Sequence, residues 1–201
     1  MKSLLGFVLL AASAFAIPIT ISTGTAAPWL VNGNPVVVET TIAIPIWINN
    51  FGDGRWVGTN ANDGNPSIGA LPGTYTFTMA LSIYAGGAGT GVFSFQYAAD
   101  NAVTWTISNG TLAGTTSCTV ATPESDCFQA ASGAPRSLTG TYGAGAILTA
   151  TVVNGGTSPN PMGLLVVGTA DADPSGIPEP STYAMITLGG AAIAFARLRR
   201  K

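Results

Sequence analysis

The chain has 201 residues, 47% hydrophobic and 8% charged, with a formal net charge of −2 and no histidine. The missing histidine excludes Ser-His triads, His metal ligands and the usual neutral-pH general base. Between residues 17 and 176 two cations, Arg55 and Arg136, stand against eight acids, a net charge of −6, which excludes the basic footprint of a nucleic-acid binder.

Met1-Lys2 is followed by an almost wholly apolar run from Leu4 to Leu10 and then by small residues ending Ala14-Phe15-Ala16. Ala14-x-Ala16 is the small-x-small pattern of a signal-peptidase site, so residues 1–16 read as a signal peptide cut after Ala16. Residues 17–176 then form the mature domain, long enough for a packed core without metals or several disulfides. Abundant Gly, Thr, Ser and Val, with little helix-forming chemistry, point to strands and turns.

The domain opens with Ile17-Pro-Ile-Thr-Ile and a turn-rich stretch to Pro35. Val36 to Ile46, dense in β-branched residues, predicts a strand with Pro45 at an edge or bulge. Residues 49 to 73 carry Gly, Asn, Asp and Pro throughout and predict a long irregular excursion with a binding or packing role, in which Arg55-Trp56-Val57-Gly58 forms a short strand. From Thr74, Tyr75, Phe77, Met79, Leu81 and Ile83 alternate with smaller or polar residues, the period of a strand with one buried face. After a turn at Gly86 to Gly89 the pattern repeats in Phe93, Phe95 and Tyr97, and beyond Ala99-Asp100-Asn101 in Val103, Trp105 and Ile107. Asn109-Gly110 predicts a turn. Weaker strands follow at Thr115 to Val120 and Ser137 to Thr141. Ala146 to Val153 and Met162 to Thr169, apolar on both faces, predict central strands. Eight or nine short strands with polar turns describe an all-β chain: a single β-sandwich of jelly-roll type.

Beyond the domain, Pro178-Glu179-Pro180 is a rigid extended tripeptide through which no helix can run. Thirteen uncharged residues follow, Ala184 to Ala196, and then Arg197, Arg199, Arg200 and Lys201. Basic residues beside an apolar helix stay cytoplasmic, which puts the preceding domain across the membrane. The apolar run rises only about 20 Å as a helix, against a hydrocarbon core of about 30 Å; Tyr183 and the arginine stems extend it by snorkelling.

This order of parts resembles the PEP-CTERM sorting signal of exosortase substrates, in which Pro-Glu-Pro, a transmembrane helix and an Arg-rich end follow one another. The resemblance implies that residues 177–201 are a sorting signal read by a membrane-embedded exosortase, with Pro178, Glu179 and Pro180 as its motif and the four terminal cations as the cytoplasmic basic anchor. It further implies export across the inner membrane of a Gram-negative envelope, transient anchoring there by the C-terminal helix, and delivery to the cell surface or extracellular matrix. A second resemblance covers about residues 27 to 170. Trp29-Leu30-Val31-Asn32-Gly33, Arg55-Trp56-Val57-Gly58, Pro72-Gly73-Thr74-Tyr75, Ala99-Asp100-Asn101, Asn109-Gly110 and Val153-Asn154-Gly155-Gly156 are similar to strings in many PEP-CTERM ectodomains, which are similar in turn to galactose-binding-like jelly rolls. These motifs are mostly turn chemistry and bear on fold more than on ligand.

No nucleophile elbow or phosphate-binding glycine loop is present. Asp53, Asp63 and Asp100 could supply paired-carboxylate chemistry, but acids in Gly/Asn-rich turns usually serve the turn itself. Asn60 to Asn65 resembles a calcium loop, yet Gly64 stands where a ligand should and no bidentate Glu follows, so no metal and no cofactor is assigned. Of the four tryptophans, Trp105 is in phase with the core, whereas Trp29 and Trp56, in or near loops, are open to two readings: core packing, or exposed platforms on which a sugar stacks with help from Asp100 and Asn101. Cys118 and Cys127, nine positions apart, are too few for a zinc site and too far apart for a Cys-x-x-Cys redox pair, which leaves a structural disulfide closing an exposed loop in an oxidising compartment. The expected protein is non-enzymatic, exported by way of signal peptidase and exosortase, and associated with exopolysaccharide; the alternative is a carbohydrate-binding module for that polymer.

Overall fold

The structure is a computed structural model that describes residues 19–24, 29–41, 47–81, 90–119, 127–130 and 134–172. The expected signal peptide, the turn at residues 86–89 and the whole of residues 177–201 lie outside them. Thirteen strands are defined among the described residues: β1 (Ile19–Ser22), β2 (Trp29–Val31), β3 (Asn34–Pro35), β4 (Val37–Val38), β5 (Val57–Gly58), β6 (Gly73–Ala80), β7 (Gly91–Asp100), β8 (Ala102–Ile107), β9 (Gly110–Gly114), β10 (Ser117–Cys118), β11 (Arg136–Tyr142), β12 (Ile147–Asn154) and β13 (Gly163–Ala172).

They build two antiparallel sheets packed face to face. The first runs β4-β5-β13-β7-β11-β9, with β1 also paired to β13; the second runs β10-β8-β12-β6-β2-β3. From β6 onward every successive strand changes sheet. Alternation along each long strand places one row of side chains between the sheets: Phe77 and Met79 of β6, Phe93, Phe95 and Tyr97 of β7, Val103 and Trp105 of β8, Leu148, Ala150 and Val152 of β12, Leu164 and Val166 of β13. Aromatic rings lock the layers across this interior. Trp105 of the second sheet meets Phe95 and Tyr97 of the first at centroid separations of 4.9 and 5.1 Å, within the range in which aromatic pairs attract beyond their burial.

The expected alternating strands are present where the pattern is strict, and the weaker expectations need correction. Of the strand expected from Val36 to Ile46, only β4 is present among the described residues, preceded by β3, with residues 42–46 outside the described set. Val37 and Val38 lie exposed on a sheet edge, and the Glu39 amide carries their register one step further by donating to Trp56 O at 3.0 Å. Thr115 to Val120 is not one strand either: β9 precedes it and β10 occupies only two residues, because Gly114, with φ of +101°, breaks the chain between them. Ala146 to Val153 is central, as β12 between β8 and β6, but only one face is buried, with Ile147 and Val153 exposed. Asn109 itself carries the positive φ of its turn.

The 49–73 excursion has a packing role. Trp47 and Trp56, with ring centroids 4.1 Å apart, join Ala98, Phe128 and Leu165 in a second apolar cluster on the outer face of the first sheet, flanked by Ile48 and Phe51. This explains why β13 is apolar on both faces: Leu164 and Val166 face the sandwich interior, while Leu165 is roofed by the loop. Trp56 Nε1 donates to Ile48 O at 3.0 Å, and the Ile48 amide donates to Phe128 O at 2.8 Å, so the roof is pinned through backbone as well as rings.

Cys118 and Cys127 form the expected disulfide, with a Cα separation of 5.8 Å. It joins more than the ends of a loop. Cys118 pairs opposite Val103 of the second sheet and Cys127 opposite Ala99 of the first, so the bond ties the sheets together and is itself buried.

Candidate functional site

Two places in the described residues concentrate polar side chains away from the sheet ladders. The first is an open depression of about 500 Å³ at one end of the sandwich, lined by Asn101, Ala102, Val153, Gly155, Gly156, Ser158 and Asn160. Its rim is held by amide side chains. Asn154, buried at the end of β12, donates through Nδ2 to Ala70 O at 3.0 Å and Leu71 O at 3.1 Å, while Asn160 Nδ2 donates to Gly155 O at 2.7 Å. Asn101 Oδ1 accepts from the Gly155 amide at 2.9 Å. Asn-Gly-Gly permits this tight return because Gly156, with φ of +92°, takes a conformation strained for any other residue.

The second is a cluster of buried acids under the 47–64 loop: Glu39, Asp63 and Asp100 are each under 10% exposed. Asp63 is fully engaged with its own turn. Its Oδ2 accepts from the Thr59 amide at 2.5 Å, the Thr59 hydroxyl at 2.6 Å and the Asn60 amide at 3.0 Å, and its Oδ1 accepts from Asn60 Nδ2. The turn-forming role expected of this acid is what the geometry displays. Asp100, at the end of β7, accepts from Trp47 Nε1 at 2.6 Å and from Asn101 Nδ2. Glu39 differs from both: neither carboxyl oxygen makes a hydrogen bond of ordinary geometry. Burial foremost, then the charges of Asp63 and Asp100, push its pKa from 4.5 up to about 9, opposed by the nearby Gly64 amide.

Of the expected ligand-binding residues, the structure brings only Asn101 to an open surface. Trp29 and Trp56 are each 1% exposed, which corrects the stacking-platform reading: a ring with no free face cannot receive a sugar. Trp29 packs edge-on against Trp105 at 6.2 Å in the main core, and Trp56 lies in the outer cluster. Asp100 is 3% exposed and spends its oxygens on Trp47 and Asn101. Sequence reading missed Glu39 and Trp47 as site residues. The available signal was a single acid inside a β-branched run, where a solvent-facing edge residue is the ordinary explanation.

With this geometry in hand, comparison with known families assigns the end of the chain. Residues 176–201 match the PEP-CTERM protein-sorting motif, which contains Pro178, Glu179, Pro180 and the basic end. The motif implies exosortase as the processing partner and marks export across the inner membrane to the envelope or cell surface. No curated protein and no solved structure matches the chain.

Proposed function

We propose that the chain is a non-enzymatic, exported surface or matrix protein whose sandwich, of galactose-binding-like jelly-roll type, is displayed in association with exopolysaccharide after sorting through residues 177–201. The observation that carries this reading is the motif match at 176–201. Supporting it are the strands that change sheet at each step from β6 and the buried disulfide, a bond that persists in oxidising compartments. In this reading signal peptidase frees Ile17 by cutting after Ala16, and Arg197, Arg199, Arg200 and Lys201 hold the tail on the cytoplasmic side until exosortase acts. Deleting residues 178–201 should yield a folded protein, with near-ultraviolet circular dichroism of the full chain, free in the periplasm or medium. A deletion variant that unfolds would make the tail part of the core and defeat the sorting role.

The alternative, a carbohydrate-binding module, is favoured by one observation: Asn101 lines an open depression of about 500 Å³. The exported protein should then bind glycans on an array, and Asn101→Ala should remove that binding. Silence on the array leaves display as the function.

A further inference from the structure

Glu39 terminates β4 on the edge of the first sheet and turns its carboxyl inward, leaving the residue 7% exposed. The pocket that receives it is built from backbone. A Cβ added at Gly64 would overlap Glu39 Oε2, and one added at Gly163 would lie 2.6 Å from Oε1; both would stand 3.0 Å from Trp47 Cη2. Glu39 thus sits where the loop, β13 and Trp47 converge. The charged groups facing it are Asp63 from the turn and Asp100 from β7, both negative. From β13 it meets Gly163, flanked by Met162 and Leu164, which do not titrate. Arg55, the cation of the loop, is exposed and donates through Nη1 to Gly54 O at 2.7 Å. An ionised Glu39 would be a third negative charge in a buried pocket where neither oxygen has a hydrogen bond of ordinary geometry and only the Gly64 amide opposes the shift.

We propose that Glu39 is held in the folded protein as a neutral acid and acts as a pH-sensitive latch: while it keeps its proton the 47–64 loop stays closed on the outer face of the first sheet, and loss of the proton releases that loop. The element that gives is the weakest nearby, because β4 is two residues long, lies on an edge and pairs only with β5. Release uncovers the tilted Trp47–Trp56 pair and with it Ala98, Phe128 and Leu165. A bound cation would be the other means of neutralising the cluster, but among the described residues no three acidic, His or Cys side chains are grouped to hold one.

Burial and the two neighbouring charges raise Glu39 from 4.5 to about 9. The folded chain therefore holds a proton that the unfolded chain gives up. The contribution is fully present below pH 4.5, falls as pH rises from there, and is lost above about 9. Between those values this one group lowers the folding constant by about tenfold per pH unit.

The test uses the exported protein and its Glu39→Gln variant, which keeps the shape without the charge. Tryptophan emission and binding of an apolar dye are followed from pH 5 to 10, with denaturant midpoints at each pH. The wild type should show a reversible red shift and dye binding on the alkaline side, with a falling midpoint, whereas E39Q should stay flat to pH 9 and be the more stable protein at pH 8. An alkaline transition retained in E39Q overturns the latch, as does calcium protecting the wild type but not E39Q, which would make Glu39 a metal ligand. Should E39Q fail to fold, carboxyl-carbon NMR of the wild type decides: a Glu39 midpoint above 7 supports the latch, and one near 4.5 overturns it.

Discussion

Asp63 and Glu39 are both buried acids, and the backbone treats them oppositely. Asp63 receives the Thr59 and Asn60 amides and the Thr59 hydroxyl, a set of charge-assisted bonds that fixes the turn, while Glu39 receives nothing of comparable geometry. Asp63→Ala would leave those part-buried donors without their acceptor, and hydrogen bonds to a charged group are worth about 1.5 to 3 kcal/mol. We expect a loss of about 3 kcal/mol, read as a lower urea midpoint with an unchanged slope. Asp63→Asn should cost less and should also move Glu39 back toward its ordinary range, because the second-largest cause of its shift disappears. The role of Asp63 was legible in the sequence: an acid amid Asn and Gly caps local amides. That of Glu39 was not, since its burial depends on Gly64 and Gly163, which arrive from 25 and 124 positions further along the chain.

Among elements, those with strict two-residue alternation could be read directly. Phe93, Phe95 and Tyr97 are buried as the period requires, and so are Phe77 and Met79. Short edge pairings could not, since two-residue strands such as β4 and β5 are defined by partners rather than by their own pattern. The apolar doubling of β13 was visible, but the roof that causes it was not, because Trp47 and Trp56 belong to an irregular loop with no period to announce which face they bury. The disulfide was legible as a pair but not as a staple between sheets. By loop-closure entropy alone the bond should contribute about 2 to 3 kcal/mol. Replacing both cysteines with serine also places two hydroxyls in the core, where Cys127 is 0% exposed. The double variant should therefore melt lower but still cooperatively, since the rings around Trp105 hold the layers together without it. Two thiols titrating in the denatured, unreduced wild type would contradict the bond.

At the scale of the molecule, composition and alternation were enough to place the chain among β-sandwiches, whereas strand order depends on pairings between distant segments. One of these bears on export. The residues of β1 pair with Val167 to Ala170 of β13, between 145 and 151 positions later. In the first sheet β13 is the last strand in the chain but lies in the middle, with β7 on one side and both β1 and β5 on the other. Until it is present, β1, β4 and β5 have no sheet to join, and closure must await the most distant contacts in the domain, the kind that fold slowly. A chain threaded through a membrane from its N-terminus delivers β13 last, and Pro178 follows only six residues after Ala172. On that route the first sheet would be completed only when translocation is almost finished, and the sorting signal would reach the membrane at about the moment its cargo becomes able to close.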